Sequence, residues 1–154
     1  MRILRMIGLI CLAAALMLTA GCQLPEWDCG PVEWHDSYEP FVGSDGLPHE
    51  PSDGNVWRYV NLALVQRRAA AVALDLADVS LVVGDVSYAP SALLPHDVAF
   101  PATLYYGIMA SGLLVFDTPS AGDGSGGLVV LYPPDGSVIG VALNPGGRGL
   151  SNRP

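Results

Sequence analysis

The chain has no lysine: all seven basic residues of its 154 are arginine, against fifteen acids. Only five arginines (Arg58, Arg67, Arg68, Arg148 and Arg153) lie beyond residue 21, where all fifteen acids fall, so that part carries a net charge of −10. Such a balance repels phosphate backbones and excludes nucleic acid as an expected partner. It equally excludes a polybasic contact with anionic lipid. Cysteine and histidine are also scarce, at three each. A chain of this length buries enough surface to fold without a disulfide framework or a structural metal. Cys29, Glu33, His35 and Asp36 bear ligand atoms, but their spacing matches no closed zinc arrangement and no second Cys/His pair completes it. Asp45-Gly46 and Asp53-Gly54-Asn55 lack the alternate carboxylates of a calcium loop. No cofactor is expected.

Catalytic constellations are equally thin. Gly122-Asp123-Gly124-Ser125-Gly126-Gly127 is similar to the nucleophile segment of trypsin-type proteases, but Gly124 intervenes between Asp123 and Ser125 and would misplace both the hydroxyl and the oxyanion amides. The chain is also far too short for that double barrel. His96-Asp97 is a neighbouring pair on a proline-bounded loop, where adjacent side chains point apart. Arg67-Arg68 reads as a solvated edge. The expectation is a protein that is not an enzyme, with a small hydrolase using Ser125 or His96 as the least favoured alternative.

Arg2 and Arg5 form a short basic start, and Met6 to Gly21 is a run of sixteen uncharged residues. At 1.5 Å per residue it reaches about 24 Å, short of the roughly 30 Å hydrocarbon core, so it reads as a signal peptide and not as a permanent span. Its end, Leu18-Thr19-Ala20-Gly21-Cys22, resembles the cleavage and lipidation box of bacterial lipoproteins, with Thr19 in place of the commoner leucine. The resemblance covers residues 1 to 22 only. It implies a diacylglyceryl thioether on Cys22, cleavage before it and acylation of the new amine with a fatty acid such as palmitate. Two or three acyl chains make attachment close to permanent. Gln23 follows where enteric-type lipoproteins retained at the inner membrane carry Asp. The implied location is therefore the cell envelope, on the outer membrane or at the surface where the cell has one. The competing reading is an ordinary secretory cut after Gly21, leaving Cys22 to form a disulfide with Cys29. The two exclude each other, because a thioether sulfur cannot pair.

Residues 23 to 54 hold eight acids, no arginine, five prolines and four glycines, and read as an extended, self-repelling tether. Trp27, Trp34, Tyr38 and Phe41 are unusual in a tether; they suit docking on the domain, or in the case of Trp27 the headgroup layer. From Asp53 as N-cap, good helix formers run to Leu76, with Asn61, Arg68 and Asp75 on one stripe, predicting a helix over about 54 to 76; the alternation of Val60, Leu62 and Leu64 makes a strand its rival. Asp78 to Tyr88 reads as a strand broken at Gly84-Asp85. The nineteen uncharged residues from Val98 to Phe116 contain Pro101, Gly107 and Gly112, so two buried strands near 103–108 and 112–117 fit better than a second membrane segment. Pro133-Pro134-Asp135-Gly136 joins two apolar arms, 128–132 and 138–143, into a hairpin.

The expected fold class is α+β, one helix packed on a small, mainly antiparallel sheet, preceded by the signal peptide and the acidic tether. The expected layout is a signal peptide over 1–21, anchor and tether over 22–53, a single globular domain over 54–145 and a loose tail over 146–154. The expected partners are the membrane, through the lipid on Cys22, and an envelope protein. A binding module for a small apolar or polymeric envelope ligand is the alternative to an assembly role.

Overall fold

The computed structural model describes residues 27–30, 32–67, 71–95, 99–121, 126–134 and 136–143. Twelve strands run in chain order: β1 (Trp27–Cys29), β2 (Glu33–Ser37), β3 (Phe41–Val42), β4 (Pro48–His49), β5 (Asn55–Gln66), β6 (Val72–Ala73), β7 (Val79–Val83), β8 (Val86–Tyr88), β9 (Thr103–Leu104), β10 (Met109–Pro119), β11 (Gly127–Leu131) and β12 (Ile139–Leu143). Among the described residues the one helical element is a 3-10 turn, Leu76–Asp78. The fold is thus nearly all β, and the α+β expectation is wrong.

The error lies in β5. Where a helix was expected, twelve residues are extended, and eleven of them pair with β10, from Asn55 opposite Pro119 to Val65 opposite Met109. Alternate residues face opposite sides of a strand. Val60, Leu62 and Leu64 enter the main core, while Trp57 and Tyr59 pack on the other face with Phe41, Leu94 and Val115. Because both faces are covered, apolar residues occupy both parities, and the alternation that marks a half-buried strand is blurred. Asp53 caps no helix: Gly54 takes a positive φ of 82° and the Asn55 N–H closes a turn onto the Ser52 carbonyl. Asp75 is the residue that caps, accepting from the Ala77 amide while its own N–H donates to Asp78.

The acidic tether is the second correction. β1 and β2 both pair antiparallel with β5 on the edge opposite β10, Trp27 against Gln66 and Ser37 against Trp57. Trp27 is wholly buried in the main core instead of facing lipid, although its indole N–H finds no acceptor among the described residues. Phe41 is buried beneath the β3–β4 hairpin, Trp34 is half-buried against the core, and Tyr38 alone of these aromatics is exposed.

The second sheet runs β12–β11–β7–β8, all antiparallel. It contains the hairpin expected from arms 128–132 and 138–143, formed as β11 and β12 and closed by a Gly136 N–H to Pro133 carbonyl bond with Gly136 at a φ of 81°. Gly84 turns β7 into β8. On the hairpin's outer side Leu128 and Ala142 are exposed, while Val130 is buried. Leu81, Val129, Leu131, Ile139 and Val141 meet Leu62, Leu64, Leu114 and Phe116 of the first sheet in one core, making a sandwich. A Cβ at Gly112 would lie 2.4 Å from the Phe100 Cα, so only glycine lets the 99–100 segment bond to β10 there.

One charged pair sits inside this sandwich. Arg58 projects from β5 into the core and has no exposed surface. Its Nε and Nη2 donate to the two Asp36 carboxylate oxygens at 2.7 and 3.0 Å, Nη1 donates to the Gly126 carbonyl at 2.8 Å, and Nη2 also reaches the Pro119 carbonyl at 3.1 Å. The guanidinium lies 5.2 Å from the Trp34 ring centroid, and Asp36 accepts a further bond from the Ala121 amide. Removing one partner of such a buried pair typically costs about 3–5 kcal/mol, because the other charge is left desolvated and unpaired. Asp36→Ala is therefore expected to lower stability by roughly 3 kcal/mol in urea unfolding, whereas Asp36→Ala with Arg58→Met should lose less than Asp36→Ala alone. Equal or greater loss in the double variant would mean that the pair is not what holds this region.

Candidate functional site

The residues singled out from sequence do not assemble into a reactive centre. Cys22, the expected lipid attachment point, and His96, Asp97, Asp123 and Ser125 lie outside the described residues. Arg67 is exposed and paired with Asp28 across β5 and β1; Arg68 lies outside the described residues. Asp36 is committed to Arg58. Its neighbour His35 points to the opposite side of β2 and stacks on Tyr59, ring centroids 4.9 Å apart. Cys29 is disulfide-bonded, with its partner outside the described residues. Among the described residues no three His, Cys, Asp or Glu side chains come together in a way that could hold a metal ion.

The titratable groups that are perturbed serve the fold. Asp45 binds His49 across the β3–β4 hairpin at 3.0 Å from both carboxylate oxygens, and this bond, with one from the Leu47 amide, lowers its pKa. Asp117 is partly desolvated, which alone would raise its pKa. Bonds from the Ser52 hydroxyl and amide and from the Asn55 amide group outweigh that, and the net shift is downward. Tyr59 is raised by desolvation and then by Glu39.

Two surface features remain. The first is an open apolar hollow of about 410 Å³ lined by Leu74, Leu76, Val79, Phe100, Pro101 and Thr103. Asp75, the one acid on its rim, is already engaged in capping the 3-10 turn, which leaves the Thr103 hydroxyl as the one other polar side chain in the lining, a sparse set for orienting a ligand.

The second is the loop between β9 and β10. Tyr105, Tyr106, Ile108 and Met109 are 56, 61, 60 and 62% exposed. Their backbone is held firmly. The Gly107 N–H donates to the Gln66 carbonyl at 2.8 Å, Gly107 takes a φ of 67°, and the Ile108 amide closes onto the Tyr105 carbonyl. The buried Gln66 side chain donates to the Leu104 carbonyl. Four large side chains are thus presented to solvent by a pinned turn. Sequence reading placed Tyr105, Tyr106 and Ile108 in a buried strand, 103–108; two adjacent tyrosines next to Gly107, breaking any alternation, were the overlooked signal.

This loop sits at a particular end of the sandwich. β5 finishes at Gln66, β10 begins at Met109, and β1 begins at Trp27 opposite Gln66. Neighbouring strands are about 4.8 Å apart, so roughly 10 Å separates the start of β1 from the loop backbone across β5. The first described residue, the end of β5 and the exposed loop share one edge of the domain.

No family model matches the chain, and no curated protein does. Among solved structures it is similar to a candidate lipoprotein, ycdA, of Bacillus subtilis, with a TM-score of 0.53 at 13% identity. The match covers 77% of this chain and 36% of that one. At that identity the likeness shows a shared fold, and the chain spans little more than a third of the length of the protein it matches. No helix among the described residues is long and apolar enough to cross a membrane.

Acid sensitivity follows from Asp117 and Asp45. A carboxylate whose folded pKa is lowered contributes stability that is whole above its ordinary value, 3.8, and is lost as the pH falls through the lowered value. Asp117→Asn combined with Asp45→Asn should therefore flatten the loss of stability below pH 3.8, measured as urea midpoints against pH. An unchanged slope would show that these bonds are not carried in solution.

Proposed function

We propose that this chain is an exported lipoprotein: a β-sandwich fixed to the cell envelope by a lipid on Cys22, with no chemistry of its own, which binds or braces another envelope component. The observation that carries the reading is Leu18-Thr19-Ala20-Gly21-Cys22 at the end of an uncharged sixteen-residue run, followed only five residues later by a tryptophan built into the core. The fold shared with a candidate Bacillus subtilis lipoprotein is in keeping with it. Five residues span at most about 18 Å, so the anchored domain would stand directly on the membrane and not at the end of a long tether. The described surface supports a binding or bracing role over catalysis, since its perturbed acids are consumed by the fold and its hollow has few polar side chains to orient a substrate. A location on the outer membrane, where the cell has one, follows from Gln23.

The disulfide at Cys29 favours a second reading. Cys11 and Cys22 are the other cysteines, and Cys11 leaves with a signal peptide, so a mature chain can pair Cys29 internally only through an unlipidated Cys22. The product would be a soluble exported domain closed by a small loop. Cys22→Ser separates the two. In the lipoprotein reading the substitution abolishes the acyl mass on residue 22 and blocks normal removal of the signal peptide, so the chain keeps residues 1–21. Unchanged processing and unchanged mass at the N-terminal peptide would contradict the anchor.

A further inference from the structure

The Tyr105–Met109 loop is the largest run of consecutive exposed apolar side chains among the described residues, and it occupies the edge of the domain from which the chain leads back to Cys22. We propose that this loop seats in the headgroup layer of the membrane that carries the lipid, so that the domain is held at two points and has a fixed orientation. The inference rests on the lipid-anchor reading above.

Three observations favour the bilayer as the occupant. The first is reach. Cys22 lies within about 18 Å of the Trp27 backbone, and the loop backbone is roughly 10 Å further across β5, so lipid and loop can meet one membrane surface at once. The second is chemistry. Tyrosine suits the headgroup level, its ring partly buried and its hydroxyl hydrated, while Ile108 and Met109 supply apolar surface for the acyl boundary. The third is charge. No charged residue lies between Ala99 and Phe116, and the charges on the adjoining strand ends, Asp28 and Arg67, neutralise one another. Glu26 and Arg68, the next charged residues in sequence on either side, are again of opposite sign, so the net acidity that makes the rest of the domain unwelcome at an anionic surface is balanced at this edge.

The pinned backbone matters energetically. A loop already ordered by Gln66 loses little conformational freedom on docking. Four side chains alone would bind a bilayer weakly and reversibly. The lipid converts that encounter into an intramolecular one at an effective concentration on the order of millimolar, which lets a weak contact be well occupied.

Hydroxyl-radical footprinting tests this, because Tyr and Met are among the side chains that react readily. The lipidated protein on phosphatidylcholine vesicles is compared with the chain from residue 22 onward carrying Cys22→Ser, in solution. Oxidation of Tyr105, Tyr106 and Met109 should fall by about threefold or more on vesicles, with Tyr38 unchanged. Tyr38 is 73% exposed and follows Ser37, which pairs with Trp57, roughly 30 Å along β5 from Gln66. Ile108→Asp with Met109→Asp alters only exposed side chains and should restore tyrosine oxidation while the protein stays anchored. An anchored protein whose loop oxidises as in solution overturns the loop proposal and leaves the anchor standing. A wild-type protein that carries no lipid, yet whose loop is protected by vesicles, overturns the anchor and leaves the loop standing. Protection that grows with protein concentration without vesicles would mark a contact between copies and overturn the proposal.

Discussion

The pairing of Arg58 with Asp36 constrains everything around it. A guanidinium with no exposed surface must have its donors met, and here three stretches of chain meet them: β2 supplies Asp36, with Trp34 beside it, the end of β10 supplies the Pro119 carbonyl, and Gly126, just before β11, supplies its carbonyl, while the Ala121 amide donates to Asp36 in turn. None of these can leave without stranding a charge in a desolvated place. The pair thus ties the acidic N-terminal segment to the first sheet and holds the end of β10 beside Gly126, which leads into the second. The price is a polar knot inside an apolar sandwich, which an aliphatic pair could fill at no loss of stability; what the knot provides is a single arrangement of the segments that meet there.

From this constraint follows the position of the chain's start. With β2 locked by Asp36 and β1 continuing along the same edge of β5, Trp27 is core and not spacer. What looked like some thirty residues of tether reduces to the few between Cys22 and Trp27. A lipid on Cys22 would then do more than tether: it would place one end of the sandwich, with its exposed tyrosines, against the bilayer, and leave the β3–β4 end and the faces of the second sheet directed away. Those outer parts are where an envelope partner would find the domain.

Local chemistry was legible where it acts alone. Pro134 and Gly136 specify a turn whatever surrounds them, and the apolar arms on either side can only pair. Gly84 marks the β7–β8 turn for the same reason. Tertiary effects were not legible. β5 lies under a second cluster of Phe41, Leu94 and Val115, so its two parities are almost equally apolar and a helix explained them as well as a strand did. The acids of residues 23 to 54 looked solvated because the cation that claims Asp36 lies twenty-two positions away. Asp45 and His49 likewise draw a supposed linker into a hairpin. The exposed loop was hidden by its own composition, since an uncharged run reads as buried until the turn that displays it is known.

The fate of the Cys22 sulfur decides what the sandwich is for. A thioether makes it an anchored domain oriented by its Tyr105–Met109 edge; a disulfide to Cys29 makes it a secreted one. The most direct measurement is the mass of the N-terminal peptide from protein purified out of the producing cell's membranes, under non-reducing conditions. A peptide beginning at Cys22 and heavier by a diacylglyceryl group, with or without an acyl chain on its amine, is the expected result. A peptide beginning at Cys22, unacylated and linked to the peptide that holds Cys29, would contradict it.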